Sequence, residues 1–246
     1  MPGGEAEVLA VIPARMGSRR VPRKNIRLLA GKPLICWTFE CAKKAESLDR
    51  IVVSTDDPEV KSLAERFKIE VPYFPRRREL CEDVDTTLVI ADIVRFLEEK
   101  EGYKPSHIVT LQPTSPFRLP SDVDACVDLA LTTKAEAVLT VRKITERPEW
   151  MLIYDVNKRF VSSYFNVDLA GNVLVSQNLP QLYLPSGAVY VNTYNLIMKG
   201  RMFSKRMAAV EIPLERSIDI EEEVDFILAE ALLKRYGGEW GLSAGG

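Results

Sequence analysis

The stretch AVIPARMGSRRVPRKN, residues 10–25, joins a short apolar run to a loop rich in cations. A continuous apolar run of this length is typical of a parallel strand that is buried on both faces. The loop holds one glycine, Gly17, and five cations: Arg15, Arg19, Arg20, Arg23 and Lys24. A basic loop at the carboxyl end of a first strand favours an anionic ligand, most simply a phosphate chain. The alternative is a basic loop that is only solvated.

Strands and helices alternate after this stretch. The apolar patterns predict strands at 8–14, 50–57, 107–116 (with its loop) and 135–144, and helices at 33–48, 58–69, 86–103 and 121–134. The order β-α-β-α-α-β-α-β predicts an α/β fold with a doubly wound, mostly parallel sheet. In such sheets ligands bind outside the carboxyl ends of the strands, and the polar stretches of this chain follow strand ends.

The alternation stops between residues 146 and 186, where short β-like pieces and turn signals replace it. We therefore expect a single domain, 1–246, with a small inserted lobe at 146–186. The chain then returns to the main sheet at 188–197, adds a strand at 207–213 and closes with an amphipathic helix, 221–236, that Gly237 is expected to end.

The inserted lobe carries more aromatic surface than a segment of its size buries against itself. Its aromatic residues are Trp150, Tyr154, Phe160, Tyr164, Phe165 and Tyr183. Aromatic clusters outside a core are typical interface anchors, so the lobe predicts a homodimer in which each lobe covers the other subunit's site. The alternative is a lobe that folds back on its own subunit as a lid.

Composition excludes several classes of protein. The net charge of -2 gives no basic field for nucleic acid, and no apolar run is long enough to span a membrane. The amino terminus lacks the pattern of a signal peptide, so we expect a cytoplasmic protein. Four cysteines without a Cys-x-x-Cys pair and one histidine make a zinc site or a disulfide framework unexpected. The absence of Gly-x-Gly-x-x-Gly argues against a nicotinamide dehydrogenase.

Two further stretches support a nucleotide site. LQPTSPFR, residues 111–118, presents amide and hydroxyl groups on a proline-stiffened loop after a strand. In SIDIEEEVD, residues 217–225, Asp219 and Glu221 are two positions apart, so an extended backbone would point both carboxylates to one side, where they could bind Mg²⁺ together with substrate phosphates. The alternative for this second stretch is the acidic start of a helix.

Together these stretches resemble the acylneuraminate cytidylyltransferase family, the CMP-sialic acid synthetases, which have a Rossmann-like nucleotidyltransferase fold. The matching segments are IPARMGSRRVPRKNIRLLAGKPLICWTFECA, RIVVSTDD, LQPTSPFR, SGAVYVN and SIDIEEEVD, and they occur in the family's order over nearly the whole chain. The resemblance implies transfer of CMP from CTP to the anomeric hydroxyl of a nonulosonic acid, with release of pyrophosphate and with Mg²⁺ as the cofactor. It also implies a homodimer.

The resemblance implies roles for residues of the nucleotide half. Arg15 and Lys24 match triphosphate ligands that serve catalysis, and Asn25 matches a nucleotide contact. Arg76, in PRRREL, matches an arginine near the cytosine, and Thr87 falls near the segment that contacts the base.

For the acceptor half, the resemblance implies that Gln112 reaches towards the sugar. Thr114, Ser115 and Arg118 would shape the site around it. Asp219 matches a metal aspartate that serves catalysis, and Glu221 stands where the second metal ligand is usually aspartate.

The acceptor half departs from the family pattern at the positions expected to carry cations. Where the family has an arginine-rich RRQ segment, this chain has Val175, Ser176 and Gln177. Where the family often has an arginine just before its NGA strand, this chain has Leu184 and Pro185, ahead of SGA. Other acceptors therefore stay open: pseudaminic, legionaminic or 3-deoxy-octulosonic acid, or a sugar phosphate. A non-catalytic nucleotide-binding protein is the alternative from another class.

Overall fold

The strands predicted at 8–14, 50–57, 107–116 and 135–144 belong to one six-stranded sheet in the computed structural model, which describes residues 7–82, 84–165 and 180–243. The strands are β1 Val8–Ala14, β2 Leu28–Leu29, β3 Lys32–Pro33, β4 Arg50–Thr55, β5 His107–Thr110, β6 Ala137–Lys143, β7 Leu152–Asp155, β8 Phe160–Ser163, β9 Tyr183–Thr193 and β10 Met207–Glu211. The helices are α1 Leu34–Lys44, α2 Pro58–Arg66, α3 Thr86–Glu101, α4 Pro120–Thr133, α5 Tyr194–Met198 and α6 Glu223–Trp240.

The main sheet has the strand order β10-β6-β9-β5-β1-β4. β1 pairs in parallel with both β4 and β5, and β10 pairs in parallel with β6. β9 is antiparallel to both of its neighbours, β5 and β6. The predicted doubly wound, mostly parallel sheet is therefore confirmed, with one reversed strand in its middle.

The sequence of β1 shows why both faces of the sheet are covered. Its residues Ala10 and Ile12 pack into the cluster formed with α1, α2 and α4, whereas Leu9 and Val11 pack against α3 and α5. Successive side chains of a strand point to opposite faces, so an uninterrupted apolar run requires helices on both sides. This arrangement leaves the carboxyl ends of β1, β4 and β5 open at one edge of the molecule.

The last helix runs past the predicted stop at Gly237 and ends at Trp240, with Gly241 in the left-handed region at φ 67°. Gly237 lies inside the helix because the chain turns back against it: a Cβ there would lie 2.9 Å from the backbone oxygen of Leu242. Its glycine therefore permits a close approach instead of ending the helix.

Part of the inserted lobe lies among the described residues. β7 and β8 form an antiparallel hairpin that is a separate two-stranded sheet, as the short β-like pieces predicted. β9 begins at Tyr183, before the predicted end of the lobe at Ser186, and pairs with the end of β6. Over the part of the chain that the structure describes, no helix combines the length and apolarity needed to cross a membrane.

Candidate active site

A cavity of about 540 Å³, here called the first cavity, lies at the carboxyl ends of β1 and β5. Its polar lining combines the basic loop with parts of both other motifs. The charged and polar lining residues are Arg15, Ser18, Arg19, Arg20, Lys24, Asn25, Arg76, Glu82, Thr86, Gln112, Thr114, Asp219 and Glu221. Five of these side chains are cationic and three are carboxylates, so the cavity suits a polyanion near a carboxylate-bound cation.

The basic loop is held in shape by hydrogen bonds from its own residues. Asn25 donates through Nδ2 to the backbone oxygen of Arg15 at 3.0 Å, and the backbone N–H of Met16 donates to Asp56 Oδ1 at 2.8 Å. Arg23 adopts left-handed backbone angles at φ 54° and donates to both carboxylate oxygens of Asp57, at 2.9 and 3.1 Å. Arg23 is therefore turned away from the cavity, while the other four cations of the loop line it.

Residues 217–222, between the last strand and α6, have no regular secondary structure, and both Asp219 and Glu221 line the first cavity. Between them, Ile220 donates its backbone N–H to the oxygen of Thr114 at 2.8 Å. The Nζ atom of Lys24 donates to the backbone oxygen of Ile220 at 2.6 Å. Glu221 forms an ion pair with Arg20. The basic loop and the segment that carries Thr114, which are far apart in the sequence, thus both contact the backbone or side chains of residues 219–221.

Burial shifts the pKa of two charged groups at this junction. It raises the pKa of the Asp219 carboxyl, an effect that hydrogen bonding to the Thr114 side chain opposes. It lowers the pKa of the Lys24 ammonium, an effect that the charges of Asp219 and Glu221 oppose. Each charge is partly removed from water and lies near an opposite charge, as is typical of sites that bind charged ligands.

Arg76 lines the first cavity although it is only 5% exposed. Its Nε atom donates to Ser54 Oγ at 3.0 Å, and its other nitrogens donate to the backbone oxygens of Ser54 and Leu80. Burial lowers the pKa of the guanidinium. Arg76 thereby connects the end of β4 to the segment that carries Leu80 and Glu82 along the cavity wall.

Three of the predicted substrate-binding residues do not line the cavity. Thr87 donates its hydroxyl to Asp85 Oδ1 at 2.7 Å at the start of α3, and its neighbour Thr86 lines the cavity instead. Ser115 is fully buried, behind Gln112 and Thr114. Arg118 is 1% exposed and faces the protein interior.

Arg118 stabilises LQPTSPFR, residues 111–118 and here called the octapeptide, from within. It donates to the backbone oxygen of Gln112 at 2.6 Å, to Thr38 Oγ1 at 3.3 Å and to the backbone oxygen of Ala188. Arg118 therefore shapes the site indirectly, through contacts that join the octapeptide to β9 and α1. Because buried polar groups need partners, a strand-end loop of this kind requires such a donor in the interior.

A second cavity of about 900 Å³ adjoins the first and shares Gln112, Asp219 and Glu221 with it. Its other polar lining residues are Arg142, Thr145, Glu146, Ser186, Tyr190, Glu215, Ser217, Glu222 and Asp225. Gly187, at φ 80°, lies on its wall, where a Cβ would be 3.4 Å from Ser115 Oγ and 3.6 Å from Gln112 Oε1. The glycine therefore lets β9 approach the shared wall closely.

Sequence reasoning missed a buried ion pair that supports this wall. Arg216 donates to both carboxylate oxygens of Asp122 at the start of α4, at 3.0 Å for the Nη2 bond. The pair holds the segment before Asp219 against α4. Neither residue belongs to a local motif, so only the fold brings them together.

The positions expected to carry acceptor-binding cations divide between two regions. Val175, Ser176 and Gln177 lie outside the described residues. Leu184 and Pro185 lie in β9, where they face Arg142 and Val141 of β6, respectively.

Comparison with known proteins identifies the family. The cytidylyltransferase family model matches residues 9–193. The CMP-N,N'-diacetyllegionaminic acid synthase of Legionella pneumophila is 32% identical over 230 residues, which are 92% of this chain and 96% of that protein. The N-acylneuraminate cytidylyltransferase of Escherichia coli is 28% identical over 91% of this chain, which spans only 51% of that longer protein.

Solved structures share the fold at low sequence identity. A CMP:2-keto-3-deoxy-manno-octonic acid synthetase complexed with CTP has a TM-score of 0.66 at 16% identity, covering 93% of this chain and 99% of the other. A 4-diphosphocytidyl-2C-methyl-D-erythritol synthase from Anaerococcus prevotii has a TM-score of 0.61, also at 16% identity, over 93% and 99% of the two chains. With a family model that matches most of its length and a full-length relative above 30% identity, this chain is a nucleotidyltransferase that belongs to the cytidylyltransferase family.

Proposed function

We propose that this enzyme transfers CMP from CTP to the anomeric hydroxyl of a nonulosonic acid and releases pyrophosphate. One observation carries the proposal: a cavity rich in cations and a cavity rich in carboxylates meet at Gln112, Asp219 and Glu221. A nucleoside triphosphate suits the first cavity, and a polyhydroxylated sugar suits the second. The names of the Legionella and Escherichia coli relatives support this pairing of substrates.

In the nucleotide half, Arg15 and Lys24 bind the triphosphate. The forked guanidinium of arginine and the compact charge of lysine suit phosphate oxygens that differ in position. Asn25 shapes the loop through its bond to Arg15 and contacts the nucleotide. Arg76 and Thr86 bind and enclose the cytosine, and Thr87 holds the start of α3 in place behind them through its bond to Asp85. Because Arg76 is held by three hydrogen bonds, it offers its remaining N–H groups in a fixed direction.

In the acceptor half, Gln112 contacts the sugar on the wall between the two cavities, and Thr114 lies beside it on the side of the first cavity. Ser115 and Arg118 shape that wall from behind. Gln112 has an amide that both donates and accepts, which suits a sugar hydroxyl beside a phosphate. Legionaminic acid is the first acceptor to assay, because the full-length relative from Legionella is named for it.

The carboxylates of Asp219 and Glu221 would hold Mg²⁺, and the chemistry of the site fits this ion. Asp219 is a partly buried carboxylate with a raised pKa beside a second carboxylate, an arrangement that a cation stabilises. Mg²⁺ is usually bound by one or two carboxylates together with substrate phosphates and water, so no larger cluster of ligands is needed. When bound, the ion would neutralise charge that develops on the phosphate oxygens.

The chain's own residues contribute mainly positioning and charge. The acceptor hydroxyl attacks the α-phosphorus in line, its O–P bond forms as the bond to pyrophosphate breaks, and the hydroxyl proton is released to water. Negative charge grows on the leaving pyrophosphate, where Arg15 and Lys24 stabilise it. The shared wall at Gln112 holds the hydroxyl near phosphorus, which lowers the entropic barrier to reaction.

The substitution Arg15→Ala tests this function. It should lower kcat/KM for CTP by about 10- to 1000-fold, which is about 1.4 to 4 kcal/mol of lost transition-state stabilisation. The assay is pyrophosphate release with a panel of nonulosonic acids, and Arg95→Ala, on the exposed side of α3, is the matched control. A fully active Arg15→Ala enzyme would reject the triphosphate assignment, and CTP binding without pyrophosphate release with any acceptor would favour a non-catalytic nucleotide-binding protein.

The enzyme also acts as a homodimer in this proposal, and in the cytoplasm, where CTP is available. The observation that supports the dimer is the exposure of the hairpin formed by β7 and β8: Phe160 is 74% exposed, Tyr164 60% and Tyr154 56%. Its Leu152 and Ile153 are also about half exposed, although their side chains point to opposite faces. Apolar exposure on both faces of a hairpin is typical of an interface.

A further inference from the structure

The charges around the second cavity are unequal. Six carboxylates line it: Glu146, Glu215, Asp219, Glu221, Glu222 and Asp225. Among the described residues that line it, Arg142 is the only cation. Carboxylates accept hydrogen bonds from sugar hydroxyls, but they repel a ligand that is itself an anion. An acidic sugar therefore needs a positive group in this cavity in addition to any bound metal.

Several of the carboxylates already have partners within the protein. Glu221 is paired with Arg20, and Glu146 accepts a hydrogen bond from the Thr145 hydroxyl at 2.8 Å. Asp225 Oδ2 accepts the backbone N–H groups of Glu221 and Glu222, both at 2.7 Å. These contacts fix the acidic side of the cavity in place.

Arg142 differs from the neighbouring cation on the same strand. Lys143 is committed to an ion pair with Glu211 at 3.0 Å. The side chain of Arg142 makes no hydrogen bond or ion pair within residues 7–82, 84–165 and 180–243, and it is half-buried in β6. A guanidinium on a strand of the central sheet, without a protein acceptor and facing a ligand cavity, is available to a ligand.

The register of the sheet explains how a cation reaches this position. Arg142 lies directly opposite Leu184 across the antiparallel pair of β6 and β9. Residues directly opposite each other in such a pair project from the same face of the sheet. On this face of the sheet, Leu184 of β9 offers only an apolar side chain. Arg142, from the neighbouring strand β6, supplies the cation on the same face.

We propose that Arg142 binds the carboxylate of the acceptor sugar, an inference that rests on the proposed function. The planar fork of arginine matches a carboxylate with two parallel hydrogen bonds. The six surrounding carboxylates disfavour any anion that lacks a positive partner. The contact with Arg142 offsets this repulsion and adds two hydrogen bonds that a neutral sugar of the same shape cannot make, so the enzyme prefers an acidic acceptor.

The test compares Arg142→Met with Lys143→Met, which removes the adjacent charge while keeping an apolar stem. For the parent and both variants, kcat/KM for the acceptor is measured at a saturating concentration of CTP, with N-acetylneuraminic acid and with N,N'-diacetyllegionaminic acid. Binding of each acid and of its methyl ester to the CTP-loaded enzyme is measured by calorimetry with Mg²⁺ removed by EDTA, so that no transfer occurs. Arg142→Met should lower kcat/KM for the free acids by about 10- to 100-fold, the range for a lost hydrogen bond to a charged group. Binding of the esters and KM for CTP should change by less than about threefold. Lys143→Met should behave as the parent.

Two results would overturn the assignment of Arg142 while leaving the proposed function intact. One is an Arg142→Met enzyme that keeps the parent's kcat/KM for the free acids. The other is an equal loss of affinity for acid and ester, which would indicate a change in the cavity's shape instead of a lost charge contact. If the parent enzyme releases no pyrophosphate with either acid but does so with a neutral acceptor or a sugar phosphate, the proposed function fails, and the assignment of Arg142 fails with it.

Discussion

Arg118 joins the octapeptide to β9 and α1 from inside the protein, and its replacement gives a direct test of that role. The guanidinium is 1% exposed and donates to the backbone oxygens of Gln112 and Ala188 and to the hydroxyl of Thr38. The substitution Arg118→Met keeps most of the apolar stem and removes the donors. It should therefore destabilise the protein while leaving the lining of the first cavity in place.

The expected loss follows from those contacts. Two buried carbonyls would lose a charged donor, and an unsatisfied buried acceptor costs about 1–3 kcal/mol. Removing a cation from the interior recovers part of this loss, since burial already disfavours the charged form and lowers the pKa of Arg118. We expect the free energy of unfolding to fall by about 2 to 4 kcal/mol, which still leaves a typical domain folded at room temperature.

The assay is urea unfolding followed by far-ultraviolet circular dichroism, together with equilibrium binding of CTP. Arg95→Met is the matched control, because Arg95 lies on the exposed side of α3. CTP affinity of Arg118→Met should stay within about threefold of the parent, since its side chain does not line the first cavity. A variant with the parent's stability and a more than tenfold weaker affinity for CTP would refute this reasoning and indicate a direct contact with CTP instead.

Two further predictions concern the metal site and the dimer. Because burial raises the pKa of Asp219 above its ordinary 3.8, the folded protein holds this proton more tightly than the unfolded chain, and stability falls as pH rises through the folded pKa. Asp219→Asn should therefore raise Tm at neutral pH in scanning fluorimetry without metal, while abolishing Mg²⁺-dependent turnover; a lower Tm would contradict this. Phe160→Ala combined with Tyr164→Ala should halve the mass found by light scattering, whereas a parent that is a fully active monomer would exclude the dimer.

Local sequence patterns were sufficient for the fold class. The apolar run of β1 and the helical periods after it follow directly from how side chains project from strands and helices, so the alternation of elements could be read from the chain. The direction of β9 could not, because whether a strand runs parallel or antiparallel depends on the path of the connection before it. Part of that connection is the inserted lobe, whose pattern is irregular.

The candidate site was likewise predictable from the sequence only in part. The basic loop and the octapeptide each follow a strand, so their position at the carboxyl edge was predictable from sequence. Which of their side chains reach the cavity was not predictable. Arg23 turns to Asp57 and Arg118 turns inward to Ala188, although both lie in motifs that suggest ligand binding.

The sequence by itself therefore determined the layered α/β architecture and the edge at which the candidate site lies, because both depend on residues that are near one another in the chain. Only the tertiary structure decided the partner of each cation. Lys24 meets Ile220 from 196 positions away, and Arg142 gains its place in the second cavity from strand pairing with β9. A charged side chain binds whichever acceptor the folded chain brings within about 3 Å, and that choice is made by long-range packing, which no local pattern records.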